Sequence, residues 1–221
     1  MTDTQDLECL FGSITVLVVE DQDMVAEALS RALGSETDFR VVGVVGTVHE
    51  AVDAARSLHP RVVVMDYGLP DGTGADATRQ VKERDPEIDV VMMTGASSGA
   101  VLAEALDAGC SGFVPKEAHF SELISAVRGV IAGQVRVAPD LMTVLLEHLR
   151  PHPNAVGSNL TPRELDVIHR LAEGESTDEI AAALFLSVHT VRNHVANLLN
   201  KLHARSRLEA VAIATRHGLL D

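Results

Sequence analysis

Apolar runs and apolar stripes divide this chain into two parts with different periods. Between residues 14 and 132, five short apolar runs (14–19, 40–45, 61–65, 89–93 and 112–114) alternate with five stretches of helical spacing near 23–33, 48–58, 74–84, 98–109 and 119–132. Runs such as Val16-Leu17-Val18-Val19 and Val62-Val63-Val64-Met65 have no polar face. That pattern fits strands covered on both sides. Five βα units with crossovers this long predict a parallel sheet layered between helices. Ligands of such a sheet sit beyond the carboxyl ends of its strands, where the strand order reverses.

The second part changes period. Pro139 to Arg150 carries Leu141, Val144, Leu145 and Leu149 at helical spacing, and Pro151 to Ser158 is rich in Pro, Gly and Asn. The expected organisation is therefore a first domain over 14–133, a linker helix and linker over 134–157, and a second domain over 158–221. From Leu160 onward the pattern is all helix. Thr161…Glu164, Ser176…Glu179 and Ser206…Glu209 have the hydroxyl-to-carboxylate spacing of capping boxes. Ser187 starts a further helix by hydroxyl capping alone. Gly174 and Gly218 suit helix C-termini. The spacing predicts four helices, the middle two joined by a very short turn. The helix from Val188 to about Leu202 keeps Val191, Val195, Leu198 and Leu202 on one stripe, a core face.

Charge sharpens the division. The net charge is -14, which argues against a generic nucleic-acid binder. Residues 1–157 hold 24 Asp+Glu against 11 Lys+Arg, whereas residues 158–221 hold 8 against 7. The second domain thus escapes the acidity and can form local basic clusters. No apolar stretch approaches the length needed to span a bilayer, the acidic N-terminus lacks a basic secretion start, and two cysteines, Cys9 and Cys110, make no disulfide framework. A cytoplasmic location without membrane attachment is expected.

Chemistry gathers at the strand ends. The first run ends in Glu20-Asp21 and the third in Asp66. If those strands are neighbours, three carboxylates converge, and their repulsion calls for a cation, with hard oxygen donors suited to Mg²⁺. Thr94 ends the fourth run and Lys116 follows the fifth. A carboxylate nucleophile, a divalent metal, an ammonium and a hydroxyl at one edge meet the needs of phosphoryl transfer to Asp66. Glu20, Asp21, Asp66, Thr94 and Lys116, in this order and at these strand ends, resemble the receiver domain of bacterial two-component response regulators. The resemblance covers residues 14–132. It implies a flavodoxin-like five-stranded parallel sheet and phosphorylation of Asp66 by a sensor histidine kinase. It also implies Mg²⁺ held by Glu20, Asp21, Asp66 and the backbone carbonyl of Gly68. Thr94 and Phe113 would be the switch hydroxyl and aromatic, and Lys116 would pair with the phosphoryl oxygens. Asp71 and Asp76 read as turn and surface acids.

In the second domain, Leu160-Thr-Pro-Arg-Glu164, Glu179-Ile-Ala-Ala, Leu186-Ser187, Thr190-Val191-Arg192, His194, Lys201-Leu202 and Arg207-Leu-Glu-Ala210 resemble the LuxR-type helix-turn-helix. With the receiver in front, the chain resembles the NarL/FixJ response regulators. The resemblance implies that the Val188–Leu202 helix enters the major groove of promoter DNA. Arg192 and Asn193 would probe bases or backbone, and Thr190 and His194 would hold phosphates, with Lys201 and Arg207 nearby. Ala196 stands where some relatives place a cation, which predicts a shallower salt dependence. The last helix either pairs with a second copy or closes the core through Leu208, Val211 and Ala212. The expected role is a non-enzymatic transcription regulator. Phosphorylation would couple to promoter binding through receiver dimerisation or domain release, with a homodimer formed when phosphorylated or DNA-bound. Two readings compete: a DNA-binding protein whose first domain is a degenerate interaction module, against which the intact acidic pocket, Thr94 and Lys116 speak, and a phosphotransfer enzyme of similar topology, which leaves residues 158–221 without a role.

Overall fold

The computed structural model describes residues 13–95, 99–135 and 160–220. The expected helix over 139–150 and the linker after it lie outside the described residues. Five strands, β1 (Ile14–Val19), β2 (Phe39–Val45), β3 (Val62–Asp66), β6 (Asp89–Thr94) and β7 (Gly112–Pro115), form one parallel sheet in the order β2-β1-β3-β6-β7. The order reverses between β1 and β3, so those two strands are neighbours, paired Val16↔Val62 to Val19↔Met65. An unanticipated hairpin, β4 (Gly68–Leu69) with β5 (Gly72–Thr73), follows β3 directly.

Strand alternation explains why the runs have no polar face. Val16, Val18, Val62, Val64, Val91 and Met93 point to one side, under α1 (Asp23–Gly34) and α5 (Phe120–Ile131). Leu17, Val19, Val63, Met65, Val90 and Met92 point to the other, under α2 (Val48–Leu58), α3 (Gly74–Arg84) and α4 (Gly99–Asp107). Each residue of β3 is buried. A polar side chain on either face would be desolvated without a partner.

The second domain is α6 (Pro162–Ala172), α7 (Thr177–Leu184), α8 (Val188–Leu202) and α9 (Arg207–Arg216). Thr161 with Glu164 and Ser176 with Glu179 form complete capping boxes, and Ser187 Oγ accepts from Thr190 N at 3.0 Å. The third box differs from expectation. Ser206 caps Glu209 N, but the Glu209 carboxylate accepts from Arg205 N at 2.6 Å, one residue before the cap. Gly174 and Gly218 take the left-handed conformation expected of them. The stripe Val191, Val195, Leu198 and Leu202 is buried.

The two domains share one apolar core. The cluster on the α2/α3/α4 side of the sheet continues through Val135 into Val167, Leu171, Leu198 and Leu208. Main-chain acceptors fasten the contact. Arg205 Nη1 donates to the Asp107 carbonyl at 2.7 Å, Arg207 Nη1 to the Gly133 carbonyl at 2.8 Å, and Thr177 N to the Ala132 carbonyl at 3.0 Å. Leu208, Val211 and Ala212 are buried inside the chain, so in this conformation they close the core and offer no face to a second copy.

Candidate functional site

The strand ends assemble an acidic notch. Glu20 and Asp66 follow β1 and end β3, and both are 3% exposed, while Asp21 is exposed at the rim. Carboxylate oxygens of Glu20, Asp21 and Asp66 lie within 4.8 Å of one another, a cluster able to hold a metal ion. Lys116 completes it. Its Nζ lies 2.7 Å from Asp66 Oδ2 and 3.2 Å from Glu20 Oε2. Burial and then the Asp66 charge push the Glu20 carboxyl up, against the pull of Lys116. Burial works to lower the Lys116 ammonium, but its bonds and charges to Asp66 and Glu20 outweigh burial and hold it above its usual value. Each partner therefore depends on the other, since removing one leaves a desolvated charge.

The neighbouring positions are set by the same strands. Thr94 ends β6 and is buried, and its carbonyl accepts from Lys116 N at 3.0 Å, tying the two loops together. Phe113, in β7 beside Met92, is half-buried against the α2/α3/α4-side core. Gly68 N donates to Asp66 Oδ1 at 3.2 Å, and a Cβ added at Gly68 would meet nothing within 4 Å. The Val114–Pro115 bond is trans.

In the second domain the expected DNA-facing residues separate into two groups. Thr190, Arg192, Asn193 and His194 lie on α8 outside its buried stripe. Thr190 Oγ1 shares a 2.8 Å hydrogen bond with Ser187, and Asn193 Nδ2 lies 3.3 Å from His189 Nε2. Lys201 and Arg207 are used within the chain. Lys201 Nζ lies 2.7 Å from Glu164 Oε2, and the opposed burial and Lys201 bond leave Glu164 below its usual value. Arg207 Nη1 donates to Gly133 and to Thr177 Oγ1 at 2.9 Å. Arg192, Val195, Ala196 and Leu199 of α8 line a cavity against the first domain, so α8 is partly covered.

Two family models divide the chain at the same place as the fold. Residues 16–128 match the response regulator receiver domain, and residues 158–214 match the bacterial regulatory proteins of the luxR family. The Transcriptional regulatory protein LnrK of Bacillus subtilis (strain 168) is 31% identical over 216 residues, covering 93% of this chain and 98% of LnrK. The Response regulator protein VraR of Staphylococcus aureus is 32% identical over 209 residues, covering 95% of this chain and all of VraR. The chain is a LuxR-type response regulator. Among solved structures, the response regulator ChrA of a heme-sensing two-component system is 28% identical, covers 95% of this chain and 100% of that one, and superposes with a TM-score of 0.52.

Several residues that hold this response regulator's site together escaped the sequence reading. Asp71, read as a turn acid, accepts from Val48 N at 2.7 Å and His49 N at 3.2 Å, capping α2 from a different loop. Asp76, read as a surface acid, completes a capping box with Thr73 at the start of α3. Both carboxyls are held low, Asp71 chiefly by the Val48 N–H and Asp76 chiefly by the Thr73 hydroxyl. Tyr67, beside Asp66, donates to Glu104 Oε2 on α4 at 2.7 Å, and burial, with that carboxylate, pushes its hydroxyl up to about 12. Local spacing signals the Thr73–Asp76 box. The Asp71 and Tyr67 contacts join distant elements and have no local signature.

Proposed function

We propose that Asp66 of this response regulator accepts a phosphoryl group from the phosphohistidine of a sensor kinase, and that acceptance controls access of α8 to promoter DNA. An Asp66 carboxylate oxygen attacks phosphorus, the P–N bond breaks, and the imidazole leaves, giving an acyl phosphate. The observation that carries this reading is the convergence of Glu20, Asp21 and Asp66 with Lys116 bonded to Asp66. Glu20, Asp21 and Asp66, with the Gly68 carbonyl, would hold Mg²⁺, which supplies charge neutralisation for the phosphoryl oxygens. Lys116 leaves its ion pair to meet those oxygens, and the Thr94 hydroxyl donates to one of them.

Phosphorylation turns the single charge of the Asp66 carboxylate into an acyl phosphate carrying about -1.5 to -2, with three further acceptor oxygens, where Lys116 was already committed. Thr94 and Phe113 then shift together, Thr94 toward the phosphoryl group and Phe113 inward. The face formed by α4 and α5 changes, and that face carries the Asp107 and Gly133 carbonyls that anchor the second domain. Release clears the first domain from the Arg192, Val195, Ala196 and Leu199 side of α8, so the helix can enter the groove with Arg192 and Asn193 toward base edges and Thr190 and His194 toward phosphates. It also frees Arg207, while Lys201 serves DNA only if it leaves Glu164. A homodimer, formed when phosphorylated or DNA-bound, supplies the paired half-sites that a small helix-turn-helix needs. The domains are assigned as 14–133, 134–157 and 158–221, and the chain acts in the cytoplasm as a phosphoryl-accepting switch.

Intact-mass spectrometry after incubation with acetyl phosphate and Mg²⁺ tests the first step, with one phosphoryl group expected on Asp66 and none on Asp66→Ala. Selection of genomic DNA fragments tests the second, with enrichment expected for phosphorylated protein over Asp66→Ala. Equal labelling of the two proteins refutes the assignment of the acceptor. Equal enrichment refutes the control of DNA binding.

A further inference from the structure

The phosphorylation notch lies at the carboxyl edge of the sheet. At the amino edge, where β3, β6 and β7 begin, the two domains enclose a cavity of about 180 Å³ that this chemistry does not use. Its described lining carries five cations, Arg61 and Lys82 from the first domain and Arg192, Arg205 and Arg207 from the second. Two carboxylates, Glu87 and Asp89, face them. Five of the 18 Lys and Arg in a chain of net charge -14 thus surround one small space with a surplus of three positive charges.

The carboxylates leave those cations unmatched. Arg61 Nη2 lies 4.0 Å from Asp89 Oδ2, beyond hydrogen-bond length, and its Nη1 reaches the Glu87 carbonyl at 3.4 Å. Lys82 donates to the Pro86 carbonyl at 3.1 Å, and Asp89 accepts from Ser111 Oγ at 2.9 Å. Arg205 and Arg207 donate to carbonyls and a hydroxyl. Arg192 makes no hydrogen bond or ion pair among the described residues. Neutral acceptors use N–H groups but do not cancel charge, and burial lowers both Lys82 and Arg207 below their usual values.

We propose that this cavity binds a small phosphate-bearing anion, gripped by arginines of both domains at once. Guanidinium forks match phosphate oxygens two at a time, which favours phosphate over a spherical anion. The volume is below the ~300 Å³ at which pockets for drug-sized ligands begin, so the fit is to pyrophosphate or a short phosphate monoester. Since Arg61 and Arg192 belong to different domains, the anion holds the docked arrangement and has no site once the domains part. At ten times its dissociation constant it raises the docked-to-released ratio about elevenfold. A metabolite carrying phosphate would then oppose the release that phosphorylation favours. That consequence rests on the function proposed above, whereas the binding itself does not.

Isothermal titration calorimetry of the full chain, at fixed ionic strength with EDTA present to keep divalent metal from the notch, tests the binding. Pyrophosphate and glycerol 3-phosphate are the two probes, and the tighter one identifies whether the ligand is inorganic or a monoester. One saturable site per chain is expected. Affinity falls at least tenfold in Arg61→Gln and in Arg192→Gln and is unchanged in Asp66→Asn, with circular dichroism confirming that each variant is folded. Absence of saturable binding by either probe overturns the proposal, as does binding that survives both arginine substitutions. Small-angle scattering with and without the bound probe reads the consequence separately. A radius of gyration unchanged under conditions that release the domains removes the regulatory role and leaves the site.

Discussion

Replacing Gly74 by alanine tests whether the position of Asp66 depends on a close backbone approach. Gly74 opens α3, and its N–H donates to the Tyr67 carbonyl at 2.8 Å. A Cβ there would stand 2.2 Å from the Asp66 carbonyl oxygen and 3.0 Å from its carbonyl carbon and Met65 Cγ. Ordinary contact begins at 3.4 Å, so the end of β3 and the start of α3 must separate by about 1 Å. Overpacking of this kind costs about 1–3 kcal/mol. A displacement of about 1 Å at a reacting group costs about 10²-fold in rate. The Asp66 carboxylate is attached to the atoms that must move, so the expected result is a folded protein, weakened by that amount in urea, whose phosphorylation by acetyl phosphate is slowed by about 10²-fold. Phosphate-affinity electrophoresis measures the initial rate. Gly34→Ala is the control, since a Cβ there meets nothing within 4 Å. Phosphorylation of Gly74→Ala within threefold of wild type would mean that the approach does not position the acceptor.

Three further outcomes follow from the same geometry. Burial pushes the Glu209 carboxyl up to about 7 from 4.5, with Asp107 adding to the rise and the Arg205 N–H opposing it. A raised carboxyl favours the protonated folded state, so the contribution of Glu209 to stability is greatest below about pH 4.5, falls as pH rises to about 7 and is flat above that. At 1.36 kcal/mol per unit the span is at most about 3 kcal/mol, and denaturation at pH 5 and pH 8 should show a larger loss in wild type than in Glu209→Gln, the difference being the part due to Glu209. Ser187→Ala removes the hydroxyl that caps α8 and should cost about 1 kcal/mol in thermal unfolding; an unchanged midpoint would deny the cap its weight. Lys116→Ala should slow phosphorylation by about 10²-fold or more while tightening Mg²⁺ binding by titration, because the ammonium no longer competes for Glu20 and Asp66. Weaker Mg²⁺ binding would contradict that competition.

The strands were legible because both faces are covered, which removes the polar alternation that usually confuses short runs. The notch was legible because Glu20, Asp66, Thr94 and Lys116 each mark a strand end, and parallel topology brings strand ends together. What stayed hidden was long-range pairing. Lys201 and Arg207 carry free-looking charges in sequence, yet they meet Glu164 and Gly133 across the fold. Asp71 resembles any loop acid until α2 is seen to begin beneath it. The last helix was ambiguous for a physical reason: Leu208 through Ala214 are buried all round, because α9 packs on its own domain and on α4. A helix with two covered faces gives no stripe from which to choose between core and dimer surface.

The grip of Arg205, Arg207 and Thr177 on the first domain falls entirely on peptide oxygens. The latch hydrogen bonds therefore draw on no first-domain side chain, although residue 133 must stay glycine, because it takes a left-handed turn and a Cβ there would run into Arg207 and Thr177. Mutational drift can remodel that surface for new signalling partners and leave the clasp intact. The two arginines have no such freedom, and a chain that lost Arg205 would be expected to dock its second domain less tightly.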